Sequence, residues 1–156
     1  LTGNTVQFGE TSARGVELEA KADITPNLSA TASYTYTDAK ITDDAVSTRV
    51  GTRIDGVPYH MANLWADYRL TALGLPQVVV GGGARYMGTS RTSSSDANEK
   101  VSAYTLFDAK VTYEVDKNWT VAMKAQNVAN EKYLFCNVSC RYGDERALIG
   151  SVNYRW

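Results

Sequence analysis

Two cysteines, one histidine and a closely spaced pair of glutamates are the side chains of this sequence whose types and spacing invite chemistry. Cys136 and Cys140 enclose only "NVS", so their sulfurs can meet within one loop. A metal site would need further Cys or His ligands close by, and the one histidine, His60, lies far off in sequence at the start of an apolar stretch. A disulfide is the expected state, which points to an oxidising compartment; free thiols and a metal site are the alternatives. Glu17 and Glu19 fall on one face of an extended segment, as paired acids would, but Lys21 and Asp23 continue the same row. That row reads as a hydrated face rather than a general acid and base. His60 has no evident nucleophile partner, and no G-x-S-x-G occurs. In "GGGARYMG", Tyr86 stands where the third glycine of a phosphate-binding fingerprint would be, and the stretch reads as strand. Its glycines are expected to ease the curvature of a sheet. Neither catalysis, nor a metal, nor a cofactor is expected.

The elements that carry these residues repeat with period two. In "GVELEAKADI", Val16, Leu18, Ala20, Ala22 and Ile24 share a face opposite Glu17, Glu19, Lys21 and Asp23. In "LSATASYTYT", Leu28, Ala30, Ala32, Tyr34 and Tyr36 oppose a face made wholly of Ser and Thr. Met61 to Leu70, Val78 to Gly88, Tyr104 to Val115 and Thr120 to Val128 alternate with more noise, and "ALIGSVNYRW" closes the chain in the same pattern. This makes seven strands, each able to reach about 9 to 11 residues, the length of a tilted strand crossing a bilayer. The connectors alternate too. Thr25 to Asn27, Thr71 to Pro76 and Asp116 to Asn118 are short and carry turn residues, whereas Asp38 to Tyr59, Ser90 to Ser102 and Phe135 to Glu145 are longer and polar.

Composition narrows the class. A net charge of -1 over 156 residues gives no reason to expect a nucleic-acid partner. Ten Tyr and three Trp against three Phe favour aromatics that keep one end wet. The longest uncharged stretch, Leu70 to Ala84, is broken by Pro76 and glycines, so no transmembrane helix is expected. With no initiator Met and no signal peptide, the chain is expected to be a fragment. Strand length, Tyr usage and long loops opposite tight turns describe an all-β transmembrane outer-membrane barrel. The alternatives are a soluble β-sandwich binding module and a small complete porin-like barrel. The many Ala and Gly on the apolar faces would fill a dry sandwich core poorly, and seven strands do not make the even count of a complete barrel.

"SARGVELEAKADITPNLSATASYTYTDAKIT", "HMANLWADYRL" and "NVANEKYLFCNVSCRYGDERALIGSVNYRW" together resemble the C-terminal part of TonB-dependent siderophore receptors, closest to the ferrichrome and other ferric-hydroxamate members. The resemblance implies that residues 1–156 form the last seven antiparallel strands of a barrel of about 22. The plug and the TonB box are absent from the chain, so TonB would act only through a missing N-terminal region. It further implies an outer-membrane location, a ferric siderophore as ligand, no enzymatic activity, and a disulfide in the last external loop. On that orientation Val16, Leu18, Ala20, Tyr34, Tyr36 and Leu64 face outer-membrane lipid, while Glu17, Glu19, Lys21 and Thr35 face the lumen. Loop residues Phe135, Asn137 and Tyr142 are the candidates for packing on the chelate. A terminal aromatic with apolar or aromatic residues at alternate positions before it is, in such proteins, the signal read by the barrel-assembly machinery; Trp156, Tyr154 and Val152 match it.

Overall fold

The structure, a computed structural model, describes residues 9–92, 100–136 and 140–156. Its strands are β1 (Glu10–Thr25), β2 (Leu28–Asp43), β3 (His60–Arg69), β4 (Val78–Met87), β5 (Ser90–Arg91), β6 (Lys100–Val101), β7 (Tyr104–Glu114), β8 (Trp119–Gln126), β9 (Leu134–Cys136), β10 (Cys140–Tyr142) and β11 (Ala147–Tyr154). Seven of them form one sheet in the order β1-β2-β3-β4-β7-β8-β11, every neighbour antiparallel. The strands expected from alternation are thus all present, each beside its neighbour in the chain. β1 and β11 are the edges of an open sheet with no second layer against it among the described residues, an arrangement unlike a sandwich or a small closed barrel.

Register makes the two faces continuous. Directly paired residues of antiparallel strands point to the same side, so the row Ala20, Ala32, Leu64, Ala84, Phe107 crosses five strands on one face. Toward the turns the rows Gly82, Ala109, Ala125, Leu148 and Val80, Val111, Met123, Gly150 carry the same apolar face to β11. The other face carries Glu17, Thr35, Met61, Asn63, Trp65, Arg85 and Asp108, with charges on most strands. No large side chain is fully enclosed among the described residues, and Leu64 is 56% exposed. The buried residues include Ala39, Ser90, Val101, Leu106, Asp108, Asn127 and Cys136, which lie in the outer loops or on the parts of β2 and β7 beside them.

The turns follow local chemistry. Asp116 Oδ1 accepts from the backbone N–H groups of Asn118 and Trp119 at 2.7 and 2.9 Å and folds the β7–β8 turn. The β3–β4 connection is a 3-10 turn over Leu70–Leu73, closed by Gly74 at φ 73°, where a side chain would be strained. Two boundaries differ from expectation. β1 and β2 each run 16 residues, and β2 continues to Asp43 rather than yielding to a loop at Asp38. The charged residues there stay extended because the returning loop supplies a third strand-like partner: Ile41 N–H donates to Thr52 O at 2.9 Å and Ile54 N–H to Ala39 O at 3.1 Å. β8 stops at Gln126 because Asn127 takes a left-handed φ of 48°.

The glycines of β4 do more than permit bending. Gly81 and Gly83 lie under Trp65, and a Cβ on either would come within 2.9 and 2.6 Å of its ring. Trp65 can therefore lie flat on the polar face, its indole N–H donating to Asp67 at 2.9 Å.

Candidate functional site

The polar face is crossed by ion pairs, one between the neighbouring strands β4 and β7 and two that reach over β4 from β3 to β7. Arg85 on β4 donates through Nε and Nη2 to Asp108 on β7 at 2.8 and 3.1 Å. Lys110 Nζ lies 2.9 Å from Asp67 Oδ1, and Arg69 grips Glu114 with two bonds of 2.8 and 2.9 Å. The part-exposed Arg69–Glu114 and Lys110–Asp67 pairs contribute about 0 to 1 kcal/mol each, so they set side-chain positions more than stability. Glu17 and Glu19 stand exposed on the same face, each paired across to a hydroxyl residue of β2, Thr35 and Ser33.

Aromatic groups bracket the apolar face. At the loop end Tyr34 Oη and His60 Nδ1 hydrogen-bond at 2.8 Å, Tyr36 stacks on Tyr59 at 6.1 Å, and the Arg53 guanidinium sits 3.3 Å above the Tyr59 ring. His60 thus lies among the rings of Tyr34, Tyr36 and Tyr59. At the turn end Trp119 packs on Tyr154 at 4.7 Å and Tyr154 on Trp156 at 6.5 Å. Val152 and Tyr154 lie on the apolar face of β11, and Trp156 beyond it is 102% exposed. From Val16 to Ile24 the strand covers roughly 27 Å, which a tilt of about 40° converts to roughly 21 Å of height, close to the apolar band of an outer-membrane barrel.

The loops converge over the polar face at its outer end. There Met61, Met87 and Tyr104 from the wall, Pro58 from the β2–β3 loop and Leu134 and Phe135 from the last loop line a cavity of about 210 Å³. Its walls are largely thioether, aliphatic and aromatic, suited to a bulky uncharged ligand surface and offering few groups to bind a bare ion. No cluster of three or more His, Cys, Asp or Glu is placed to hold a metal among the described residues. The last loop is a small hairpin. β9 and β10 pair with Cys136 opposite Cys140, and these two form a disulfide with Cα atoms 4.1 Å apart. Phe135 stands opposite Arg141, whose guanidinium lies 5.8 Å from its ring.

The three loop residues singled out in the sequence do not share one place. Phe135 lines the cavity; Tyr142, 77% exposed, borders a separate groove with Glu131, Lys132 and Glu145; Asn137 lies outside the described residues. Met61, Met87 and Tyr104 were not anticipated, although each sits at the loop end of a strand in the register of the polar face, a signal that parity alone carries. Asp108 and Asn127 were missed because nothing local marks a polar residue as buried.

The family model for the TonB-dependent receptor-like β-barrel matches residues 2–128. Among curated proteins, the chain is 36% identical over 159 residues to the ferrichrome outer membrane transporter/phage receptor of Escherichia coli K12, covering 97% of this chain and 21% of that protein. It is 34% identical over 160 residues to the ferrioxamine receptor of Yersinia enterocolitica, covering 96% and 21%. The chain therefore spans about a fifth of the length of these relatives. Among solved structures, the siderophore receptor PiuA from Acinetobacter baumannii superposes with a TM-score of 0.77 at 26% identity, over 94% of this chain and 22% of that one.

Proposed function

The chain belongs to the TonB-dependent receptors, as part of their outer-membrane β-barrel, and from that premise we propose that it is the C-terminal wall of a receptor importing a ferric siderophore of the hydroxamate type. It is not an enzyme; its relatives are receptors and transporters. In this reading residues 1–156 supply seven strands of a larger barrel, the apolar face meets lipid and the charged face lines the lumen. The β2–β3, β4–β7 and β8–β11 loops face outward and take part in holding the chelate. TonB would act through a region N-terminal to this chain, and Val152, Tyr154 and Trp156 would present the last strand to the barrel-assembly machinery.

The observation that carries the ligand reading is the apolar cavity at the loop end of the polar face, with Phe135 on its wall. A hydroxamate chelate hides its iron inside an uncharged shell, which packs on thioether and aromatic surface without the desolvation cost of a charged group. Phe135 is the ligand contact we retain with geometric support; Asn137 and Tyr142 remain proposals from the sequence. The test is tight binding of ferrichrome or ferrioxamine B to the detergent-purified full-length receptor that carries this chain, read by quenching of tryptophan emission. Phe135→Ala is expected to weaken binding about 10-fold, the loss of one packed aromatic contact. Parent receptor that binds neither chelate, or growth on them as iron source that is unchanged when the receptor is deleted, would refute the proposal.

A further inference from the structure

One buried polar group of the wall, paired with Gly83 in mid-strand, does not line the cavity. The Asp108 side chain is 7% exposed, yet it belongs to the charged face and accepts three hydrogen bonds. Two come from Arg85, whose own side chain is 46% exposed on that face, and the third from the backbone N–H of Asn127 at 2.9 Å. Asn127 is itself 2% exposed. Its side-chain oxygen accepts the Glu131 N–H at 2.8 Å, and its amide donates to Glu131 O at 2.9 Å and to Asp144 O at 3.1 Å.

One asparagine side chain thus ties together the two legs of the last loop, one leaving β8 and one returning to β11. The left-handed φ of 48° aims that side chain into the loop while leaving its N–H on the wall. Asn130, at φ 53°, repeats the device one step out: its Oδ1 accepts the Arg146 N–H at 2.8 Å. Beyond it the Tyr133 ring occupies the space that a side chain at Gly143 would need and packs on Tyr104 at 4.3 Å. The hairpin bearing Phe135 is therefore hung from the wall through a chain running Arg85, Asp108, Asn127.

We propose that Asp108 and Asn127 are positioning residues, which touch no ligand but set where Phe135 stands over the cavity. A carboxylate suits the joint because one charged oxygen can hold a guanidinium and a backbone N–H at once, and charge-assisted bonds are the stronger kind. The inference rests on the reading that Phe135 faces the chelate.

The test is a double-mutant cycle in the full-length receptor, with ferrichrome or ferrioxamine B, whichever the parent binds more tightly. Asp108→Asn keeps the shape but turns donors toward Arg85, and Asn127→Gly keeps the backbone conformation and its N–H while deleting the side chain. Each is expected to weaken binding about 10-fold, with folded barrel in the membrane unchanged. In a Phe135→Ala background Asp108→Asn should add less than about 2-fold, because the residue it positions is gone. A nitroxide on Lys132→Cys should also gain mobility in both single variants. Independent, multiplying losses in the cycle, or a label equally immobile in parent and variants, would overturn the positioning role. If Phe135→Ala alone leaves affinity unchanged while the label loosens in Asp108→Asn, the hanging of the hairpin stands and the ligand contact at Phe135 fails.

Discussion

Replacing Leu64 with Arg should destabilise the barrel by about 2 to 4 kcal/mol, whereas Leu18→Arg should cost only about 0 to 1 kcal/mol, although both leucines are exposed on the apolar face. The difference comes from depth. On β3, Leu64 stands midway between His60, in the loop-end aromatic cluster, and Tyr68 near the turn. Four residues at about 3.4 Å separate it from either, so after tilt it lies roughly 10 Å from each boundary, too deep for a guanidinium to reach water without distorting the bilayer. Leu18 pairs directly with Tyr34 and stands one row nearer the loop end than Leu64, and the Tyr34 hydroxyl already reaches His60, so an arginine of similar reach placed there extends to the headgroups. Asn63→Arg, one residue from Leu64 on the polar face, is the control and should cost little. Urea-dependent folding of the full-length receptor into phospholipid vesicles, followed by tryptophan emission and by heat-modifiable migration on gels, gives the three values. Equal costs for Leu64→Arg and Asn63→Arg would refute the assignment of faces, and equal costs for Leu64→Arg and Leu18→Arg would refute the depth argument.

The ring of the last loop should show a two-hydrogen mass deficit in unreduced peptide spanning Cys136 and Cys140; changing both to Ser should cost stability at most about 2 kcal/mol, since so small a loop restricts the unfolded chain little, and should instead weaken chelate binding. Gly83→Val should cost about 1 to 3 kcal/mol and shift tryptophan emission to the red, because a Cβ there meets both the Leu64 carbonyl oxygen and the Trp65 ring, 2.6 Å away, and the ring is the part able to move; unchanged emission would show that the ring does not rest there. Deleting Trp156, which is fully exposed, loses only its ring contact with Tyr154 and should lower the amount of folded receptor in the outer membrane while receptor that does insert binds chelate normally. Unchanged membrane levels with weakened binding would contradict both the assembly role and the orientation.

The seven strands, their order and their two faces were legible in the residues alone. A strand's faces are set by parity, which is local, and the three short connectors with Pro, Gly and Asn force three of the six pairings between successive strands. The resemblance carried by the R-G-V-E-L-E and N-V-x-N segments and by the aromatic terminus likewise lay in the chain. Tertiary structure decided what depends on partners distant in sequence. β2 runs on through Lys40 and Asp43, where charge suggests a loop, because residues 52–54 return to bond it. β5 with β6 and β9 with β10 are two or three residues long, too short to show a period. Trp65 and the glycines at 81 and 83 explain one another only once β3 lies beside β4. The cavity needs Met61, Met87, Tyr104 and Phe135 brought together from four separate segments, and the burial of Asp108 and Asn127 exists only when the last loop folds back over the wall. Pattern specifies which way a side chain points; which group it meets is settled by register between strands and by the path of the loops.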